Sequence, residues 1–153
     1  RFNNLSNLAQ FNAFVTELIE TTKIEYFSLS PYDTKYNYSA TWSGSYFSLK
    51  KLSTGKTIYP WFGVNYTDTA TQIRIDLEFN KGWCDILKNE KKTIEKKLKA
   101  KNKYCVMYKK NELLVAINEE TFEKFQKTEN IDIQKEILKS FFSEVISIVK
   151  EYI

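Results

Sequence analysis

In the run Gln72-Ile73-Arg74-Ile75-Asp76-Leu77-Glu78-Phe79, apolar and polar side chains alternate without a break. A period of two puts Ile73, Ile75, Leu77 and Phe79 on one face of a strand and Arg74, Asp76 and Glu78 on the other. A strand of this kind needs a second layer over its apolar face. The end of the chain supplies one. Ile137, Leu138, Phe141, Phe142, Val145, Ile148, Val149 and Tyr152 follow the i, i+3/i+4 spacing of an amphipathic helix over residues 133–152. A sheet covered by helices on one side is an α+β fold.

The remaining segments fit that scheme. Leu5, Leu8, Phe11, Phe14, Val15, Leu18 and Ile19 predict an opening helix over residues 5–22, capped by Ser6 or Asn7. Ser30-Pro31-Tyr32-Asp33 breaks regular structure. A stretch rich in Tyr, Thr, Ser and Trp then predicts antiparallel strands at residues 38–42, 46–52 and 57–66. Ser43-Gly44 and Ser53-Thr54-Gly55 are the expected turns. Pro60 makes the third strand start late, bulge or lie at an edge. Residues 83–98 read as a helix with Trp83, Ile86, Leu87, Ile94 and Leu98 inward. Residues 104–108 and 113–117 read as a hairpin, and Asn118 as the cap of a short helical turn at residues 119–125. The 153 residues suit one domain of ordinary size, and no internal repeat or linker divides them. Because the chain opens on Arg1, it reads as a fragment of a longer protein.

Composition excludes several chemistries. With no histidine, imidazole-based triads and His-ligated zinc sites are out. Two cysteines are too few for a Cys-rich zinc site or a disulfide scaffold. Cys84 and Cys105 read as reduced, semi-buried thiols of a cytoplasmic protein. Four glycines, none clustered, cannot build a Walker or dinucleotide phosphate loop. No run approaches the ~20 apolar residues of a bilayer span, and no signal peptide opens the chain. No cofactor, metal site or catalytic residue is expected, and a binding domain is the reading.

The net charge of +4 hides an uneven distribution. Residues 88–110 carry ten lysines against Glu90 and Glu95, while residues 111–153 carry five basic and nine acidic side chains. Such asymmetry points to a polyanion such as nucleic acid. Lys88, Lys91, Lys92, Lys96 and Lys99 are the candidate phosphate contacts. A solvated Lys-rich helix in a Lys/Asn/Ile/Tyr-biased chain is the competing account. Aromatic rings cluster nearby in sequence: Tyr59, Trp61, Phe62 and Tyr66 on one strand, with Trp42, Tyr46 and Phe47 before them. Such rings can stack on an unstacked base or fill a small core. Trp61 is open to both readings, whereas Phe47, Phe62 and Phe79 lean toward core.

Two enzyme readings are weaker. Restriction-type nucleases place an acid and a Glu-x-Lys pair around magnesium. Asp76 and Glu78 share a strand face, but the residue two after Glu78 is Asn80. They read better as the wet face of a half-buried strand. Cys84 has no imidazole to serve it and reads as a structural thiol.

The run Gly55-Lys56-Thr57-Ile58-Tyr59-Pro60-Trp61-Phe62, followed by a loop at 65–71 and an aliphatic strand at 73–79, resembles the N-terminal DNA-binding domain of the McrB family of modification-dependent restriction proteins. The resemblance implies that this domain flips a methylated cytosine into an aromatic pocket, with Trp61 carried over and Tyr104 as a further stacking ring. The family's pattern after the aliphatic strand is absent, since Asn80-Lys81-Gly82-Trp83 leads directly toward a helix. Residues 73–98 are also similar to an uncharacterised bacterial domain found behind restriction-type nuclease domains. The expectation is a DNA-binding domain of a restriction or phage-defence protein. Trp61, Tyr59, Tyr66 and Tyr104 are its candidate base contacts, and other subunits of a restriction complex are further partners. The alternative is a protein-interaction or nuclease-support module.

Overall fold

The computed structural model describes residues 27–29, 42–66 and 71–153, together with residues 13, 14 and 17. Its strands are β1 (Phe27–Leu29), β2 (Trp42–Lys50), β3 (Thr57–Ile58), β4 (Trp61–Tyr66), β5 (Thr71–Glu78), β6 (Tyr104–Lys109) and β7 (Glu112–Ile117). Three helices follow the meander: α1 (Lys91–Lys99), α2 (Glu119–Lys127) and α3 (Ile131–Val149). The sheet runs β1-β2-β4-β5-β7-β6, with β3 paired to β2, and every pairing is antiparallel. The fold is α+β.

Alternation in β5 works as its sequence dictates. Ile73, Ile75 and Leu77 are fully buried, and the neighbouring strands present Phe62, Val64, Leu113 and Val115 on the same side. The apolar stripe of α3 closes over this face. Phe142 stacks on Phe62 at 5.1 Å and meets Phe47 at 5.4 Å, while Phe141 lies 6.1 Å from Phe62. Ile94 and Leu98 of α1 and Phe125 of α2 join the same core. Full burial of each such side chain contributes roughly 1.5–3 kcal/mol.

Caps set where the last two helices begin. Asn118 Oδ1 accepts from the Thr121 N–H at 2.8 Å, and Asn130 Oδ1 accepts from the Asp132 N–H at 2.9 Å. These bonds satisfy amides that have no partner inside the helix. The cap at Asn130 starts α3 at Ile131, two residues before the expected start at Ile133. Beyond Val149 the chain tightens into a 3-10 turn, Lys150–Tyr152.

Several expectations need correction. Ser43-Gly44 is not a turn but lies inside the nine-residue β2. Gly44 is there because a Cβ would stand 2.5 Å from the Phe62 carbonyl oxygen and 2.6 Å from Cζ2 of Trp61. The strand expected over 57–66 is divided at Tyr59-Pro60, since proline has no N–H for the ladder. The Pro60 carbonyl still accepts from the Phe47 N–H at 3.0 Å. The helix expected over 83–98 is two elements, a 3-10 segment Asp85–Glu90 and then α1. A turn closed by Trp83 N–H to Asn80 O, with Gly82 at φ +90°, sets the chain on this path. Ile86 consequently points outward and is 43% exposed. The thiols are not alike either, for Cys84 is buried and Cys105 exposed. The opening helix over 5–22 lies outside the described residues except for Ala13, Phe14 and Glu17, which are helical. Most of the strand expected at 38–42 also lies outside them, Trp42 being the first residue of β2.

Candidate nucleic-acid interface

α1 is amphipathic, and its two faces have separate tasks. Ile94 and Leu98 enter the core, anchoring the helix against α3 and β6. Lys92, Lys96 and Lys99 recur at steps of four and three on the outer side, and Lys88 precedes them by four in the 3-10 segment. All four are exposed. Lys88, Lys92 and Lys96 enter no ion pair among the described residues, whereas Lys99 meets Glu95 at 2.9 Å. Lys91 departs from the row. It is half-buried, with Nζ 5.2 Å from the centre of the Tyr108 ring.

Two other lysines of the basic segment are tied to α3 and to the 3-10 turn that follows it. Lys97 Nζ donates to Glu151 at 2.9 Å and sits 5.1 Å from the Tyr152 ring. Hydrogen bonding to Tyr152, then to Glu151, raises the Lys97 ammonium above its ordinary value. Lys103 Nζ reaches Glu144 at 3.4 Å.

Tyr104 lies beside that last pair, at the start of β6. Its ring meets Phe141 edge-on at 5.6 Å, and its hydroxyl donates to Glu144. Burial, then the bond to Glu144, pushes the Tyr104 phenol up. The Tyr104 hydroxyl, with help from Lys103 and Lys101, in turn holds the Glu144 carboxyl below its ordinary range. A cavity of about 340 Å³ opens here, with Tyr104, Phe141, Ile117 and Ile137 as walls and Lys103 and Glu144 at its polar side. Nothing in the sequence pattern announced this cavity. Glu136, Ser140 and Glu144 do recur four apart along α3, but Lys135, Lys139, Ser143 and Ser147 are polar there too, so that spacing does not single them out.

Trp61 occupies the other face of the sheet. Phe62 faces α3, so its neighbour Trp61 must face away. In the ladder it stands between Tyr46 and Asp76, and it is only 5% exposed. Its indole fits the bare slot at Gly44, so it serves here as packing. Tyr59 is half-buried and meets the Trp83 ring edge-on at 6.4 Å. Trp83, expected in the core, instead lies 4.5 Å from Tyr46 on this outer face. Tyr66 ends β4, paired in register with Thr71.

Asp76 and Glu78 share this outer face but are not simply wet. Arg74 Nε lies 2.9 Å from Asp76 Oδ1, and its Nη atoms donate to Asp76 Oδ2 and Gln72 Oε1, each at 3.2 Å. Burial pushes the Asp76 carboxyl up to about 7; Arg74 opposes that rise and Glu112 and Glu78 add to it. Glu78 accepts from the Tyr46 hydroxyl at 2.8 Å. Both carboxylates are thus engaged by neighbours in the sheet. Among the described residues, no three acidic or thiol side chains converge as a set that could hold a metal ion.

The fold therefore brings Tyr104 together with the basic segment, on the helix side of the sheet. It sets Trp61 on the opposite side, away from that row, with Tyr59 beside Trp83 there. No protein-family model matches the chain, and neither the curated proteins nor the solved structures include a match. No described helix is long and apolar enough to cross a membrane.

Proposed function

We propose that this chain is a DNA-binding domain whose phosphate contacts are Lys88, Lys92, Lys96 and Lys99. The observation that carries the reading is the exposure of Lys92, Lys96 and Lys99 along one face of α1, with Lys88 exposed in the 3-10 segment just before it. Four residues of helix advance about 6 Å, so the row offers a positive charge at each turn to a linear polyanion. Lys101, Lys103, Lys109 and Lys110 are also exposed and extend the basic surface past the helix end. Lys91, set over Tyr108, contributes charge nearby rather than a free ammonium.

Placement in a bacterial restriction or phage-defence protein rests on the likeness of residues 55–62 and 73–98 to such domains. Reading of a methylated cytosine belongs to the same proposal. Tyr104 is the ring best situated for it, because it adjoins the lysines. Trp61 supports the sheet in this reading, and Tyr59 and Tyr66 are secondary candidates.

The test is binding to short duplexes, plain and cytosine-methylated, over a range of salt. Four displaced counterions predict a log–log slope of about −3.6. Replacing Lys88, Lys92, Lys96 and Lys99 together by Gln should flatten that slope without lowering thermal stability. Salt-dependent binding that ignores methylation would discard the base-reading part alone. Affinity indifferent to salt, or unmoved by the fourfold variant, would discard the proposal and favour a protein-interaction or nuclease-support module.

A further inference from the structure

The two edges of the sheet differ. One is β1, three residues long. The other is β6, six residues in unbroken register with β7 from Tyr104↔Ile117 to Lys109↔Glu112. Among the described residues β6 pairs with β7 alone. In an antiparallel ladder alternate residues turn their N–H and C=O away from the partner, and on an edge strand these groups are a template for a further strand. Such edges are commonly blunted by a bulge, a proline or a charge within the strand. Tyr104-Cys105-Val106-Met107-Tyr108 carries none of these. Its cover is also incomplete. Every residue of β6 is half-buried or exposed, whereas five of the six in β7 are buried. Charge stands at the two ends instead. Residues 100–111 contain Lys101, Lys103, Lys109 and Lys110 and no acid. All four are exposed, and among the described residues only Lys103 enters an ion pair, with Glu144. Glu112, opposite Lys109, belongs to β7 and stands a full strand further from the edge.

We infer that β6 is a docking edge for an extended segment of a partner protein, apolar in its centre and acidic at both ends, which joins the sheet as a further strand. The inference goes beyond the DNA-binding reading and does not depend on it, since Lys88, Lys92 and Lys96 take no part. A second copy of this chain is a poor occupant. Whether two β6 strands lie parallel or antiparallel, a lysine-bearing end meets another, and like charges set opposite one another are destabilising. A strand with Asp or Glu at both ends meets lysines in either direction. Its alternate side chains extend the helix-side row of Tyr104, Val106 and Tyr108 and the opposite row of Cys105 and Met107. Both rows are apolar, so β-branched or aromatic residues suit the centre of the incoming strand.

The probe is an acetylated and amidated peptide of alternating Val and Thr with two Asp at each end. In excess peptide, amide hydrogen exchange read by NMR should slow in β6 and stay unchanged in β1. The same peptide methylated at every backbone nitrogen keeps its charge but has no N–H to donate, and it should protect nothing. Lys101 and Lys110 are exposed and enter no ion pair among the described residues, so Lys101→Glu with Lys110→Glu should leave the thermal melt unchanged. That variant should bind the Asp-ended peptide roughly tenfold more weakly and a Lys-ended counterpart more tightly. The fourfold Lys→Gln variant should bind the Asp-ended peptide as the parent does. No protection of β6, protection by the methylated peptide as well, or affinity unmoved by the charge reversal overturns the inference. Protection of β6 that grows with protein concentration in the absence of peptide makes a second copy the occupant and also overturns it. Peptide binding lost only in the fourfold variant places the contact on α1 and overturns the assignment to β6, whereas loss of DNA binding alone there leaves both readings standing.

Discussion

Trp61→Ala separates packing from recognition. Trp61 is 5% exposed and fills the slot left by Gly44, whose ideal Cβ would lie 2.6 Å from the indole Cζ2. Removing a large aromatic side chain from such a site costs roughly 3–5 kcal/mol, the lost burial plus the cavity left behind. For a chain of this length each kcal/mol moves the melting temperature by about 2–4 °C. A fall of roughly 10 °C is expected, read by circular dichroism. Below the variant's melt, its affinity for duplex DNA should match the parent's. Gly44→Ala attacks the same slot from the other side, and its Cβ would also press 2.5 Å from a backbone oxygen. Combining it with Trp61→Ala should therefore relieve only part of its cost, because the backbone clash remains. A Trp61→Ala protein that melts within about 2 °C of the parent and loses DNA affinity would refute this reasoning. It would make Trp61 a base contact.

Three further outcomes follow from named groups. The folded Asp76 carboxyl, raised to about 7, binds its proton more tightly than the unfolded carboxyl at its ordinary 3.8. Its contribution must weaken as pH climbs from about 4 through 7, so Asp76→Asn should flatten that part of the stability–pH curve. A curve of unchanged slope in denaturant titrations at pH 5 and 8 would refute this. Cys105 is exposed, whereas Cys84 is buried with its thiol pushed up to about 12. A thiol reagent should therefore titrate one cysteine in the native protein and both in guanidinium. Finally, Asn118→Ala removes the acceptor for the Thr121 amide and should cost about 1 kcal/mol, measured by urea denaturation.

What could be read in the sequence was periodic. The alternation from Ile73 to Phe79 and the stripe from Ile137 to Val149 each declare a face, and those faces meet in the core. The Asn118 cap was legible because a short side-chain acceptor before Glu119-Glu120 has a local task. The errors occurred where tertiary contacts outweigh local habit. Ser43-Gly44 has turn composition, yet Gly44 serves the Trp61 ring, seventeen positions on and brought alongside by the pairing of β2 with β4. Trp83 has the spacing of a helix core, yet the turn at Gly82 sends it to the outer face beside Tyr46. Trp61 and Tyr104 look equivalent as aromatic candidates. Only the parity of each strand against α3 reveals that they face opposite ways.

Charge is where sequence counting and structure differ most usefully. Ten lysines in residues 88–110 suggest one broad basic footprint, and the acidic closing segment suggests a surface for another subunit. The fold sets part of one against part of the other. Glu144 and Glu151 stand seven residues apart, two turns of helical chain, and face Lys103 and Lys97. Exposed pairs of this kind are worth about 0–1 kcal/mol, so they orient the hairpin and α1 against α3 more than they stabilise it. They also remove these acids from the stock available to an outside partner. Lys91 turns to Tyr108 and Lys99 to Glu95, leaving Lys88, Lys92 and Lys96 as the part of the row with no ion pair among the described residues. An electrostatic slope close to that of the row, rather than of all ten lysines, is therefore the signature that separates a built DNA surface from a merely lysine-rich chain.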